Sequence, residues 1–142
     1  MELLRQMASE SIALEGLRVS LDKLVYHKDP INLPSAQPHA FIYFITITNL
    51  SDRTVHLLGR KWLIVNVDGT KLVIEGDKIV GETPTLEPGD NFSYNSYHVT
   101  NMNAVVHGSY HGVDQFDQKV HVNVPKFDLS IPEQDPPDAS LS

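Results

Sequence analysis

The chain has no cysteine. That excludes disulfides, thiol nucleophiles and cysteine-based zinc sites together. Basic charge is scarce too: 11 Lys and Arg stand against 18 Asp and Glu, a formal net charge of −7 over 142 residues. An acidic chain repels phosphate backbones and needs a local basic patch to bind nucleic acid. The densest basic stretch is Arg60-Lys61, so no nucleic-acid partner is expected. Long apolar runs are also missing. The longest, around Ala40 to Ile47, is far short of the roughly 20 residues that a membrane helix needs. The start carries Glu2 and no long apolar stretch, unlike a secretory leader. These absences predict a soluble, cytoplasmic protein that does not insert into a membrane.

What is present is β-pattern. Leu17, Val19 and Leu21 alternate, and then the phase shifts to Leu24 and Tyr26, as a β-bulge would require. Residues 40–50 are rich in β-branched and aromatic side chains on both faces and predict a central strand. Residues 55–67 and 71–75 flank Asp68-Gly69, a hairpin signal. Pro88-Gly89 marks another turn. Alternation resumes at Phe92, Tyr94 and Ser96, then at Val106, Gly108 and Tyr110, and again at Val120, Val122 and Val124. Seven or eight strands without a convincing helix predict an all-β sandwich of immunoglobulin-like or fibronectin type III-like form. Trp62 and Tyr110 take core positions in that picture. Residues 17–132 make the sandwich, residues 1–16 form a short helix or a disordered lead, and the proline-rich, acidic residues 133–142 form a disordered tail.

Three places could carry chemistry. In "EGDKIVGETP", residues 75–84, Gly76 and Gly81 stand where the outer glycines of G-x-G-x-x-G would, with Lys78 in place of the middle one. A dinucleotide loop needs a helix after its last glycine, and Pro84 and Pro88 leave no room for one. Glu75, Asp77 and Glu82 oppose the single Lys78, which also disfavours an anion nest of turn amides. A strand connection in which glycines supply positive φ is the expected role. Arg60 and Trp62 share one side of their strand. Arg60 either snorkels outward from a packed stem or joins a buried pair or ligand contact; a structural role is expected. A five-residue loop, Asp114 to Gln118, would place His111 directly opposite His121. That pair offers two ligands for a divalent cation, where zinc prefers three or four. No G-x-S-x-G or H-E-x-x-H occurs, and the carboxylates of "DQFDQ" are expected to be solvated at a hairpin tip, so no catalytic residue is assigned and no enzyme is expected.

The segments "LLGRKWLIVNVDG" (57–69), "FITITNLSDRTV" (44–55), "EGDKIVGETPTLEPGDNFSYNS" (75–96), "VHGSYHGVD" (106–114) and "VPKFDLSIP" (124–132) together resemble the ApaG family, or DUF525 domain. The likeness covers about residues 17–132. It implies a fibronectin type III-like sandwich. It also implies an association with cobalt resistance and magnesium efflux in bacteria and, where the domain sits inside eukaryotic F-box and polymerase-interacting proteins, a protein-binding role. The sequence departs from the family pattern at Lys78, where the loop's middle glycine usually sits, and at Tyr97, where glycine usually follows. The function expected is a non-catalytic interaction module for an unidentified protein partner, with no resident cofactor and an indirect link to cobalt and magnesium homeostasis. The alternative is a small-ligand binder. Gly76, Lys78, Gly81 and Arg60 would hold pyrophosphate or a nucleotide, or His111 and His121 would hold a divalent cation.

Overall fold

A computed structural model describes residues 10–28 and 38–133 of the chain. Its strands are β1 (Ile12–Ala13), β2 (Leu17–Lys28), β3 (His39–Asn49), β4 (Val55–Asn66), β5 (Lys71–Asp77), β6 (Thr85–Leu86), β7 (Asn91–Thr100), β8 (Ala104–Asp114) and β9 (Lys119–Leu129). Among the described residues there is no helix, and none that could cross a membrane. The strands form two packed sheets. The larger runs β1-β9-β8-β4-β5, with β6 also paired to β4; the smaller runs β2-β3-β7. The chain is therefore an all-β sandwich, as the alternation predicts.

Alternation puts one face of each sheet into the shared core. Ile45 and Ile47 from β3 meet Val55, Leu57 and Trp62 from β4, Tyr110 from β8 and Leu129 from β9, all essentially inaccessible to water. Each such side chain contributes about 1.5–3 kcal/mol relative to exposure. Trp62 makes one of the closest contacts. Its ring lies against Gly108, where a Cβ would stand 2.3 Å from a ring carbon. That is why an alternating run with an apparently missing side chain sits opposite the tryptophan.

The phase shift read in β2 is a register irregularity between Leu21 and Lys23. The hairpin at Asp68-Gly69 joins β4 to β5, and Gly69 donates its amide to Asn66 O. Residues 10–16 correct the expected lead. They hold β1, a two-residue strand running parallel to β9, with Ile12 opposite Val120. Non-local pairing with β9 decides the conformation there, and local apolar spacing cannot report it. Residues 1–9 and 134–142, with the rest of the expected lead and nearly all of the expected tail, lie outside the described residues.

Candidate functional site

The site begins with a break in strand β4. Val55 and Leu57 face the core, and a register irregularity between Leu57 and Gly59 then shifts the phase. Arg60, Trp62 and Ile64 are the next inward residues. A bulge re-aims side chains in this way. Here it turns a charged side chain toward the space between the sheets.

Arg60 is paired with Tyr110 on one side and with Gly76 on the other. Its guanidinium lies over Gly76, where an added Cβ would come within 3.0 Å of Nη1. Nη1 donates to two backbone carbonyls, Asp77 O at 2.9 Å and Lys78 O at 3.0 Å. Among the described residues Arg60 has no carboxylate partner; the ion pair there is Arg53 with Asp114. Glu75 and Asp77 alternate onto the opposite face of β5, which keeps them from pairing with it.

The connection after β5 is anchored and strained. Ile79 is fully buried, while Val80 beside it is 58% exposed. Lys78, Val80 and Gly81 have φ of 70°, 50° and 78°. A left-handed conformation is ordinary for glycine and an outlier for a β-branched residue. The expected positive φ thus falls on Gly81 and on two non-glycine residues. Gly76 is a strand residue whose missing side chain makes room for Arg60, which corrects its expected turn role.

Arg60, the Asp77–Gly81 connection, Tyr43, Tyr94 and Ser96 line a cleft of about 240 Å³ at the open side of the sandwich. Burial raises the Tyr43 hydroxyl pKa, partly offset by a hydrogen bond with Ser96 and the charge of Arg60. Burial also pushes the Tyr94 and Tyr110 hydroxyls up, and these two are hydrogen-bonded to each other. All three are phenols at neutral pH, so the cleft offers hydroxyls beside the Arg60 guanidinium, with Lys78 and Asp77 also in its lining. Further along β7, His98 is 5% exposed, with its ring centroid 4.9 Å from Tyr43 and 5.0 Å from Trp62. Its Nε2 is buried without a hydrogen-bond partner, and burial drives its pKa down to about 4.

The structure brings Arg60, Gly76, Lys78 and Gly81 to one place, as the ligand alternative requires, but the connection is not an amide nest. The Lys78 amide bonds Leu58 O, and Ile79 and Glu82 bond each other's carbonyls. Meanwhile the Asp77 and Lys78 carbonyls approach Arg60. His111 does lie opposite His121, and Val113 opposite Lys119. However, His111 packs over Gly59, and His121 Nδ1 is bonded to Ser11 Oγ at 2.7 Å. No group of three potential metal ligands occurs among the described residues.

Sequence reasoning missed Tyr43, Tyr94, Ser96 and His98 as a cluster, because β3 and β7 reach it from distant parts of the chain. It also misplaced Asp114. Instead of being solvated, that carboxylate is buried, accepting the amides of Phe116 and Gln118 and pairing with Arg53 Nη1 at 3.0 Å. Burial alone would raise its pKa; the two amides and Arg53 outweigh it and hold it below the usual carboxylate value. Tyr97 lies on the outer face of β7, not in a loop.

The family model for the ApaG domain, DUF525, matches residues 32–114. Protein ApaG of Vibrio cholerae serotype O1 is 38% identical over 100 residues, which cover 70% of this chain and 79% of that protein. Protein ApaG of Pectobacterium atrosepticum is 35% identical over 116 residues, covering 81% and 93%. The X-ray structure of the Northeast Structural Genomics Consortium target SoR45 superposes with a TM-score of 0.73 at 28% identity, covering 82% of this chain and 88% of that one. The chain belongs to the ApaG family.

Proposed function

We propose that this ApaG chain is a non-catalytic interaction module that takes an extended segment of a partner protein onto the free edge of β5. One observation carries this reading. β5 is the last strand of the larger sheet, and it exposes Leu72 by 46% and Val73 by 54%. Exposed edges with apolar side chains invite pairing, and proteins ordinarily blunt them with proline, charge or a bulge. β5 contains no proline, and its charges, Lys71, Glu75 and Asp77, all sit on one face. The smaller sheet ends on β2 and β7; the outer face of β7 carries Asn91, Ser93 and Asn95 beside the exposed Tyr97, a mostly polar row against the adjacent Leu72 and Val73 of β5. Strand addition draws affinity from main-chain hydrogen bonds and specificity from alternate side chains. The link to cobalt and magnesium homeostasis implied by the family resemblance would run through such a partner.

Affinity capture with the wild-type chain and with a Leu72→Lys/Val73→Lys variant tests this reading. A partner held by the wild type should be lost by the variant at unchanged melting temperature. Equal retention by both would rule out β5 as the docking edge. The alternative, a small-ligand binder, draws its support from the Arg60 cleft. At about 240 Å³ that cleft is smaller than the roughly 300–1,000 Å³ of ordinary ligand pockets. It favours a single small anionic group over a nucleotide.

A further inference from the structure

We propose that Arg60 reads an acidic side chain on the strand that β5 receives, so that the partner's docking segment is extended, with a carboxylate at one position and apolar residues two and four positions away. This rests on the strand-addition reading and specifies its partner. Directly paired residues in neighbouring strands point to the same face. Tyr110, Arg60 and Gly76 form one such row across β8, β4 and β5, on the face turned toward the core. A fourth strand on β5 would place its own residue next in that row. Gly76 has no side chain to stand between that residue and the guanidinium lying over it.

The neighbouring rows set the rest of the pattern. Gly108, Trp62 and Ile74 form the next row, and Val106, Ile64 and Leu72 the one after. An incoming strand therefore faces Arg60, then Ile74, then Leu72, at intervals of two residues. Ile74 packs against the core, and Leu72 is exposed. Apolar residues suit both positions, and a carboxylate suits the cation. A guanidinium carries five N–H donors in a planar fork that fits a carboxylate, and among the described residues Arg60 donates from Nη1 to two carbonyls. Those carbonyls and the acids of the loop disfavour a multiply charged phosphate and leave room for a single negative charge. The strained Val80 holds an apolar lip at the mouth of the same cleft.

The test uses the full chain, isotope-labelled, and blocked synthetic peptides of alternating Thr and Val. In each peptide one inward position is Glu or Gln, and both chain directions are made. NMR follows the Lys71–Asp77 amides, which report strand addition, and the Arg60 Nε–H, which reports the anchor. The Glu peptide should shift both sets and bind roughly tenfold more tightly than the Gln peptide, as a partly buried charge-assisted contact would give. Arg60→Lys, which keeps the charge and loses the fork, should shrink that preference severalfold while the β5 shifts persist. Equal binding of Glu and Gln peptides with a still Arg60 signal would overturn the acidic anchor and leave strand addition standing. If neither peptide moves the β5 amides, strand addition itself fails, and the anchor with it.

Discussion

At the residue scale, the most consequential positions lack a side chain or hold one against its preference. Gly76→Ala would bring a methyl to 3.0 Å from Arg60 Nη1. The long arginine can swing aside, so the expected loss is under about 1 kcal/mol of stability, with loss of the Glu-over-Gln preference. Gly108→Ala has no such escape against the Trp62 ring and should cost about 1–3 kcal/mol, as overpacked cores do; urea melts measure both. Lys78, at φ 70°, should be improved by glycine. Lys78→Gly relieves a left-handed conformation that costs an L-residue roughly 1–2 kcal/mol, offset by glycine's own entropy of about 0.5–1 kcal/mol, and a small rise in melting temperature is expected. His98 gives a pH prediction. Its ordinary pKa is near 6.5, and in the fold it lies at about 4. Between those values the unfolded chain binds a proton that the folded chain refuses, so acid favours unfolding. The stability from neutral His98 is whole above pH 6.5 and falls away toward pH 4, on the order of 3 kcal/mol in total. Melts of the wild type and of His98→Leu across that range should show the slope flattened in the variant. Asp114, with its depressed pKa, acts in a separate window: its stabilisation is present above the ordinary carboxylate value and is lost in stronger acid.

At the element scale, the hairpin tip and the β5 edge have opposite duties. Asp114 accepts the amides of Phe116 and Gln118 and pairs with Arg53, so it ties the β8–β9 turn to the start of β4. Asp114→Ala should cost about 2 kcal/mol, the scale of hydrogen bonds to a charged group, and thermal melts would show it. The β5 edge carries no such burden. Leu72→Lys/Val73→Lys should leave stability within about 0.5 kcal/mol, as surface substitutions do, while removing the partner. Much of this level was legible in the sequence. Period-two alternation located the long strands, Asp68-Gly69 located their hairpin, and a five-residue loop set His111 opposite His121. The sequence could not report β1, whose two residues are strand only because β9 lies beside them. Nor could it report the register shift between Leu57 and Gly59, because a bulge shows only when both partners are in register, although period two from Trp62 already put Arg60 on the core side. The Arg60 cleft was half legible. Arg60, Gly76, Lys78 and Gly81 stood out along the chain, while Tyr43, Tyr94 and Ser96 reach it from the other sheet.

At the scale of the whole molecule, one core joins both sheets, with Trp62 packed between Tyr43 of one and Tyr110 of the other. Unfolding should therefore be a single transition, with Trp62 fluorescence and far-ultraviolet circular dichroism coinciding; separated midpoints would contradict a single core. The larger sheet ends on the two-residue β1 at one side and on the seven-residue β5 at the other, and β5 lies beside the cleft of Arg60, which has no carboxylate partner among the described residues. The proposed docking of a partner strand depends on that open edge. Hydrogen exchange of the backbone amides, with and without the alternating Glu peptide, tests it most directly. Slowed exchange is expected across Lys71–Asp77, with the Asn91–Thr100 amides of β7 unchanged. Unaltered exchange in β5, with protection gained in β7 or only in the Lys78–Gly81 connection, would contradict it.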